Sequence, residues 1–137
     1  MRYSFVLFTG PLLVVAIIAA EPKSVWDGVY TKEQAQEGAN LYDDKCVICH
    51  GEPETGGDSG PSLSGPGFVD NWKGKTAADL FLKISKQMPK DDPGSLSPDE
   101  STSLMAFLFF ENRFPVGQDE LPSTEAALRQ IRVEARK

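Results

Sequence analysis

Cys46-Val47-Ile48-Cys49-His50 is the run of this chain with the narrowest chemical meaning. Two thiols three positions apart stand about one helical turn from each other, so both can reach one edge of a porphyrin and bond its two vinyl groups. The histidine that follows then lies under the ring, with Nε2 available to the iron. Three other chemistries compete for the same residues. A redox-active dithiol of this spacing belongs beside a β-α-β pattern, and none is visible here. A closed zinc site needs four nitrogen or sulfur ligands, whereas Cys46, Cys49 and His50 are the only cysteines and the only histidine of the chain. A Cys46–Cys49 disulfide would close a loop too short to stabilise the fold through chain entropy. The expectation is therefore one haem c, covalently held by Cys46 and Cys49, with His50 as an iron ligand.

Outward toward the N-terminus, residues 1–20 read as a secretory signal. Arg2 supplies the short positive start, and Phe5 to Ala20 is apolar apart from Thr9, Gly10 and Pro11. Ala19-Ala20 offers small residues for cleavage. The run is too short and too interrupted for a comfortable membrane span, and its rival reading is an uncleaved N-terminal anchor. Beyond residue 20 the chain keeps 13 bases and 20 acids, a formal charge of −7. Such a balance argues against nucleic acid and against an anionic membrane surface as partners. The remaining 117 residues suit one small domain with a limited core, to which a haem would add a large apolar centre.

Residues 21–30 read as an extended leader, with Trp26 and Tyr30 free to pack onto the domain. Thr31 and Gln34 then predict a capping box. Ala35, Gly38, Ala39 and Tyr42 fall on one face of the helix that runs into Cys46. A glycine inside a helix costs about 1 kcal/mol relative to alanine, so Gly38 on the buried face implies that another backbone comes close. Gly51 to Gly67 holds six glycines and three prolines and reads as loop. A second helix is expected from Thr76 and Asp79 through Leu80, Phe81 and Ile84, ending before Met88-Pro89. After a loop over Lys90 to Leu96, Ser97-Pro98-Asp99-Glu100 is the strongest helix start of the sequence. That helix buries Leu104, Phe107 and Leu108 and ends near Asn112. Residues 116–137 read as a linker followed by a terminal helix over Ser123 to Lys137 using Leu128 and Ile131. No strand pattern and no repeat is visible, so the fold class expected is all-α.

With these elements placed, residues 31–115 resemble the class I (mono-haem) cytochrome c domain of short bacterial type. Gly38 and Tyr42 stand where that family crosses its first helix over its last, with Phe107 as the matching aromatic. Gly60-Pro61-Ser62-Leu63-Ser64-Gly65 is similar to the family's loop in which a proline carbonyl receives the Nδ1–H of the haem histidine, which gives that role to Pro61. Met88 matches the family's axial methionine. Met105, mid-helix beside Leu104, reads as core filling instead. Trp72 has two open roles: its indole N–H meets either a haem propionate or a backbone carbonyl. Asp43, Asp44, Asp91 and Asp92 read as solvated surface.

The resemblance implies an exported, periplasmic one-electron carrier rather than an enzyme, since His50 and Met88 would close both axial positions and raise the reduction potential. The alternatives are a haem enzyme or gas sensor with a displaceable distal ligand, and a cytochrome subunit docked to a larger dehydrogenase or oxidase. Expected partners are redox proteins such as a quinoprotein dehydrogenase or a terminal oxidase, met through a complementary basic surface or a small apolar patch. Membrane contact is expected only if residues 1–20 remain attached.

Overall fold

Gly38 marks a close approach of two backbones in the molecule's core. The computed structural model describes residues 21–136, so the expected signal segment lies outside the described residues. Helix α1 (Lys32–Lys45) passes over α5 (Pro98–Glu111), with Gly38 buried between them. A Cβ added at Gly38 would run into the Ser103 carbonyl and stand 2.8 Å from the Phe107 Cβ. One turn on, Tyr42 packs on Phe107 with ring centroids 5.1 Å apart. The facing part of α5 carries the short buried side chains Ser101, Thr102 and Ser103. The Ser101 and Thr102 hydroxyls donate to the carbonyls of Ser97 at 2.9 Å and Asp99 at 3.1 Å, so these polar groups are satisfied inside their own helix.

The helix starts follow from their side chains. The Glu100 N–H donates to Ser97 Oγ at 3.1 Å, and the Ser97 N–H donates to the Glu100 carboxylate at 2.8 Å, with Pro98 in the first helical position. At α4 (Ala77–Gln87), the Thr76 N–H and hydroxyl both donate to the Asp79 carboxylate at 2.8 Å. The start of α1 differs from expectation. Thr31 Oγ1 accepts the Gln34 N–H at 3.1 Å, but the Gln34 side chain does not return the bond. It is buried, and its amide is taken by a residue far along the chain: Nε2 donates to the Leu121 carbonyl at 3.0 Å, and Oε1 accepts the Leu121 N–H at 2.8 Å.

Two short helices complete the middle of the chain, α2 (Val47–His50) and α3 (Pro66–Trp72). The second occupies ground expected to be loop as far as Gly67. Pro66 and Gly67 look like turn residues by type, yet Pro66 sits at the start of the helix, where a missing N–H loses nothing, and Phe68 behind it is buried.

The C-terminal end corrects the expectation most. Residues 21–30 lie packed on the domain, Tyr30 as expected: Val25, Val29 and Tyr30 are buried, and the Tyr30 hydroxyl donates to the Phe114 carbonyl at 2.6 Å. The expected terminal helix over Ser123–Lys137 is a single turn, α6 (Glu125–Leu128), followed by an extended segment. There β2 (Ile131–Arg132) pairs in parallel with β1 (Lys23–Ser24), Lys23 opposite Ile131, so two strands exist where none was expected. The physical reason is burial with a period of two. An extended chain turns Ile131 and Val133 to the same side, where both are buried, whereas a helix through this polar stretch would bury less. Val133 also exchanges backbone hydrogen bonds at 2.9 Å with Gly74 and Lys75. Leu121 and Leu128 are buried in the same wrap. With two strands of two residues each, the molecule remains all-α in class, as expected.

Candidate haem site

The site is built where α1 stops. The chain leaves α1 at Cys46 and makes one further turn, in which the His50 N–H donates to the Cys46 carbonyl at 2.9 Å. That turn places Cys46, Cys49 and His50 on one short element. Both thiols are free, Cys46 half-buried and Cys49 exposed. Before any bond to a cofactor is made, burial pushes the Cys46 thiol up to about 11, with Lys45 opposing and Cys49 adding to the shift. The Tyr42 hydroxyl donates to the Gly51 carbonyl at 2.8 Å. The residue that packs the helix crossing thereby also anchors the end of the Cys–His turn.

His50 is oriented from below. Its Nδ1 lies 2.9 Å from the Pro61 carbonyl oxygen. A carbonyl only accepts, so the proton sits on Nδ1 and the Nε2 lone pair is left for a metal. Gly60 is the second part of the support: a Cβ there would stand 2.7 Å from His50 Nδ1 and 2.9 Å from Cε1, so the ring lies against bare backbone. Asn112, at the end of α5, holds the following loop: its Nδ2 donates to the Leu63 carbonyl at 3.0 Å and its Oδ1 accepts the Gly65 N–H at 3.0 Å. Sequence reasoning finds in Asn112 only a helix end and gives Gly60 no role. The one available signal is a glycine immediately before the proline that faces the histidine.

Met88 caps α4, half-buried, its N–H donating to the Ile84 carbonyl at 3.2 Å. Met105 is fully buried in α5. Trp72 is half-buried at the end of α3, 6.3 Å from the Phe68 ring between centroids, with the Lys75 ammonium 4.7 Å over its ring. Among the described residues, no hydrogen bond ties Met88 or Trp72 to the Cys–His turn.

The residues present fit a haem. Among the described residues no three His, Cys, Asp or Glu side chains converge on a point that could hold a bare metal ion. The donors suit instead a planar group that takes two thiols at its edge and one imidazole at its centre. A cleft of about 710 Å³, lined by Trp26, Ser64, Asn112 and Arg113 among others, contains none of Cys46, Cys49, His50, Pro61 or Met88. The site is therefore defined by its donor set and by the support under His50.

Comparison with known proteins agrees with this geometry. Residues 33–108 match the family described as cytochrome c oxidase, cbb3-type, subunit III. Among solved structures, the chain is similar to one in the sulfane dehydrogenase SoxCD from Paracoccus pantotrophus, with 24% identity and a TM-score of 0.52. The alignment covers 79% of this chain and 61% of that one, and at this identity the likeness bears on the fold alone. No curated protein matches the chain. With its Cys46-x-x-Cys49-His50 turn and its helix crossing inside the matched region, the chain belongs to the cbb3-type cytochrome c oxidase subunit III family, and it is a mono-haem class I cytochrome c domain that binds haem c covalently through Cys46 and Cys49.

Proposed function

We propose that this chain is an exported one-electron carrier whose iron is held between His50 and Met88 and which passes electrons between larger redox proteins. The observation that carries the proposal is the 2.9 Å contact between His50 Nδ1 and the Pro61 carbonyl. It fixes the tautomer, aims Nε2 away from the loop and makes the imidazole a stronger donor. When bound, the haem supplies a reversible one-electron couple. The protein's own residues do the rest. Cys46 and Cys49 would fix the ring edge, and Gly60 and Pro61 hold His50 still. Met88 would supply a neutral thioether as the second iron ligand, which favours ferrous iron, and Trp72 would offer its indole N–H to a propionate.

Work as a docked subunit belongs to the same role. The family name describes an oxidase subunit, and the structural relative is a chain of a dehydrogenase. A quinoprotein dehydrogenase as donor or a terminal oxidase as acceptor fits this role. Residues 1–20 act as a cleaved signal that delivers the protein to the periplasm. Among the described residues, no helix is long and apolar enough to cross a membrane.

The test is an optical spectrum of the purified protein, oxidised, reduced, and reduced under carbon monoxide, with the mass of the native chain measured alongside. A carrier shows the weak near-red band of sulfur-bound ferric haem and ignores carbon monoxide, on a chain that begins near Glu21 and carries one haem. Ready carbon monoxide binding without that band would transfer the protein to the open-site enzymes or gas sensors.

A further inference from the structure

The most exposed large apolar side chain among the described residues is Ile48, at 88%. It lies inside the haem-binding turn itself. On a helical turn, Ile48 points about 160° away from Cys46 and about 100° away from Cys49, so a ring held by both thiols leaves it facing solvent. A single exposed isoleucine is ordinary on a protein surface, but this one has a charged setting. Residues 43–58 carry five exposed acids, Asp43, Asp44, Glu52, Glu54 and Asp58, against the single base Lys45. Lys45 is itself paired with Asp44 at 3.5 Å. By contrast, residues 73–90 carry Lys73, Lys75, Lys83, Lys86 and Lys90 against Asp79 alone.

The acids act on common ground. Tyr42, beside Gly51, has its hydroxyl pushed up to about 12, first by burial and then by neighbours that include Glu52, Asp43 and Glu111. The Glu111 carboxyl, at the end of α5, is raised first by its own burial and next by Glu54, with Arg113 opposing and Glu52 adding to the shift. The end of α1, the loop after His50 and the end of α5 thus present one negative field around the Cys–His turn.

We propose that the redox partner docks on this face, and that it is a protein whose contact surface is a small apolar recess for Ile48 rimmed by lysine or arginine. The proposal rests on the electron-carrier reading and names the face that carrier uses. Charge chooses the occupant: a second copy meeting this face with its own would bring like-charged rims together, and two chains of formal charge −7 beyond residue 20 repel as wholes, whereas a basic rim is drawn in and oriented before contact. Ile48 then supplies the apolar centre of a small, transient interface next to the ring edge.

Tris(1,10-phenanthroline)cobalt(III) is a suitable probe, being cationic with an aromatic exterior, and ferricyanide is its anionic counterpart. One electron leaves the ferrous protein and reduces cobalt(III) to cobalt(II), and no bond is made or broken. The rate with the cobalt complex should fall as salt is raised. It should fall at least about threefold in the D43N/D44N/E52Q protein, a scale ordinary for steering. Ile48→Ser should lower it at high salt as well. The redox-inert chromium(III) analogue should broaden amide resonances of residues 43–54 in the ferrous protein. Broadening centred on residues 83–90, or a cobalt rate that responds to Lys83→Gln and not to the acidic variant, would overturn the proposal. A dimer in analytical ultracentrifugation that Ile48→Ser abolishes would also overturn it, in favour of a second copy. Failure of the carrier reading is distinct, since it shows as loss of the near-red band and gain of carbon monoxide binding in the parent protein.

Discussion

The crossing of α1 and α5 and the wrap of the two chain ends are both buried, but they are held together differently. At the crossing, the fit is made by what is missing and by what is flat: Gly38 has no side chain where the Ser103 carbonyl passes, and Tyr42 lies on Phe107. In the wrap, backbone groups do most of the joining. Lys23 pairs with Ile131, the Gly117 N–H donates to the Tyr30 carbonyl at 2.7 Å, and Val133 bonds to Gly74 and Lys75. Shape specifies the first region, and hydrogen bonds made around buried side chains specify the second. The crossing lies within the family match, whereas residues 21–30 and 116–136 lie outside it. The wrap thus lies outside the matched core and closes over the loop that leads from Trp72 into α4.

The largest expected effect tests whether the wrap matters to stability. Leu128 is fully buried, so Leu128→Ala should destabilise the holoprotein by about 2–5 kcal/mol in urea unfolding, the usual range for a large core truncation. A change under about 1 kcal/mol would make the wrap an appendage and erase the comparison. At the crossing, Gly38→Leu should cost about 1–3 kcal/mol through overpacking, toward the upper end because the obstacle is the Ser103 backbone carbonyl, which cannot swing aside. Leucine's better helix preference returns about 1 kcal/mol of this. A protein stabilised by Gly38→Leu would contradict the close approach. Gln34 joins the two regions, since it stands on α1 and its amide serves Leu121. Gln34→Leu strands a buried N–H and a buried carbonyl, and about 1–3 kcal/mol per unsatisfied group is the ordinary penalty. A loss no greater than that of an exposed substitution would show that the wrap does not depend on α1.

Legibility in the sequence divides along the same line. Gly38 stands out because a glycine on the apolar face of a helix is costly unless a neighbouring backbone needs the space. Ser97-Pro98-Asp99-Glu100 announces α5 through capping chemistry that acts within one turn. The Cys–His turn is legible for the same reason, its donors being adjacent in the chain. Pro61 comes only through the resemblance, because an eleven-residue separation from His50 carries no periodic signal. The wrap escapes a reading of the sequence because Leu121, Leu128, Ile131 and Val133 find partners far away in the chain. Gln34 misleads in a related way: it occupies a capping-box position, but a distant backbone takes its amide. Helix α3 is hidden because Pro66-Gly67 carries turn residues while serving as a helix start.

A smaller effect separates local capping from both regions. The carboxyls of Glu100 and Asp79 are lowered from their ordinary values of 4.5 and 3.8, each first by the backbone N–H of its cap residue. A lowered folded value means stability that is fully present above the ordinary carboxylate range and lost as the pH falls through the folded values. Both residues are only partly buried, so solvent screens the interaction and the loss should be modest. Glu100→Gln should flatten that part of the acid unfolding curve while leaving stability at higher pH slightly reduced. An unchanged acid limb would remove the capping boxes as a source of stability.

The central claim is that His50 and Met88 enclose the iron, and the near-red sulfur-to-iron band tests it most directly. Met88 sits half-buried where α4 ends, and Met105 is sealed inside α5. Met88→Ala should abolish the band, lower the reduction potential and open the site to carbon monoxide or cyanide. Met105→Leu should keep the band and cost less than about 1.5 kcal/mol in stability. A Met88→Ala protein that keeps the band, or a parent protein that never shows it, would contradict the ligand assignment and the carrier function built on it.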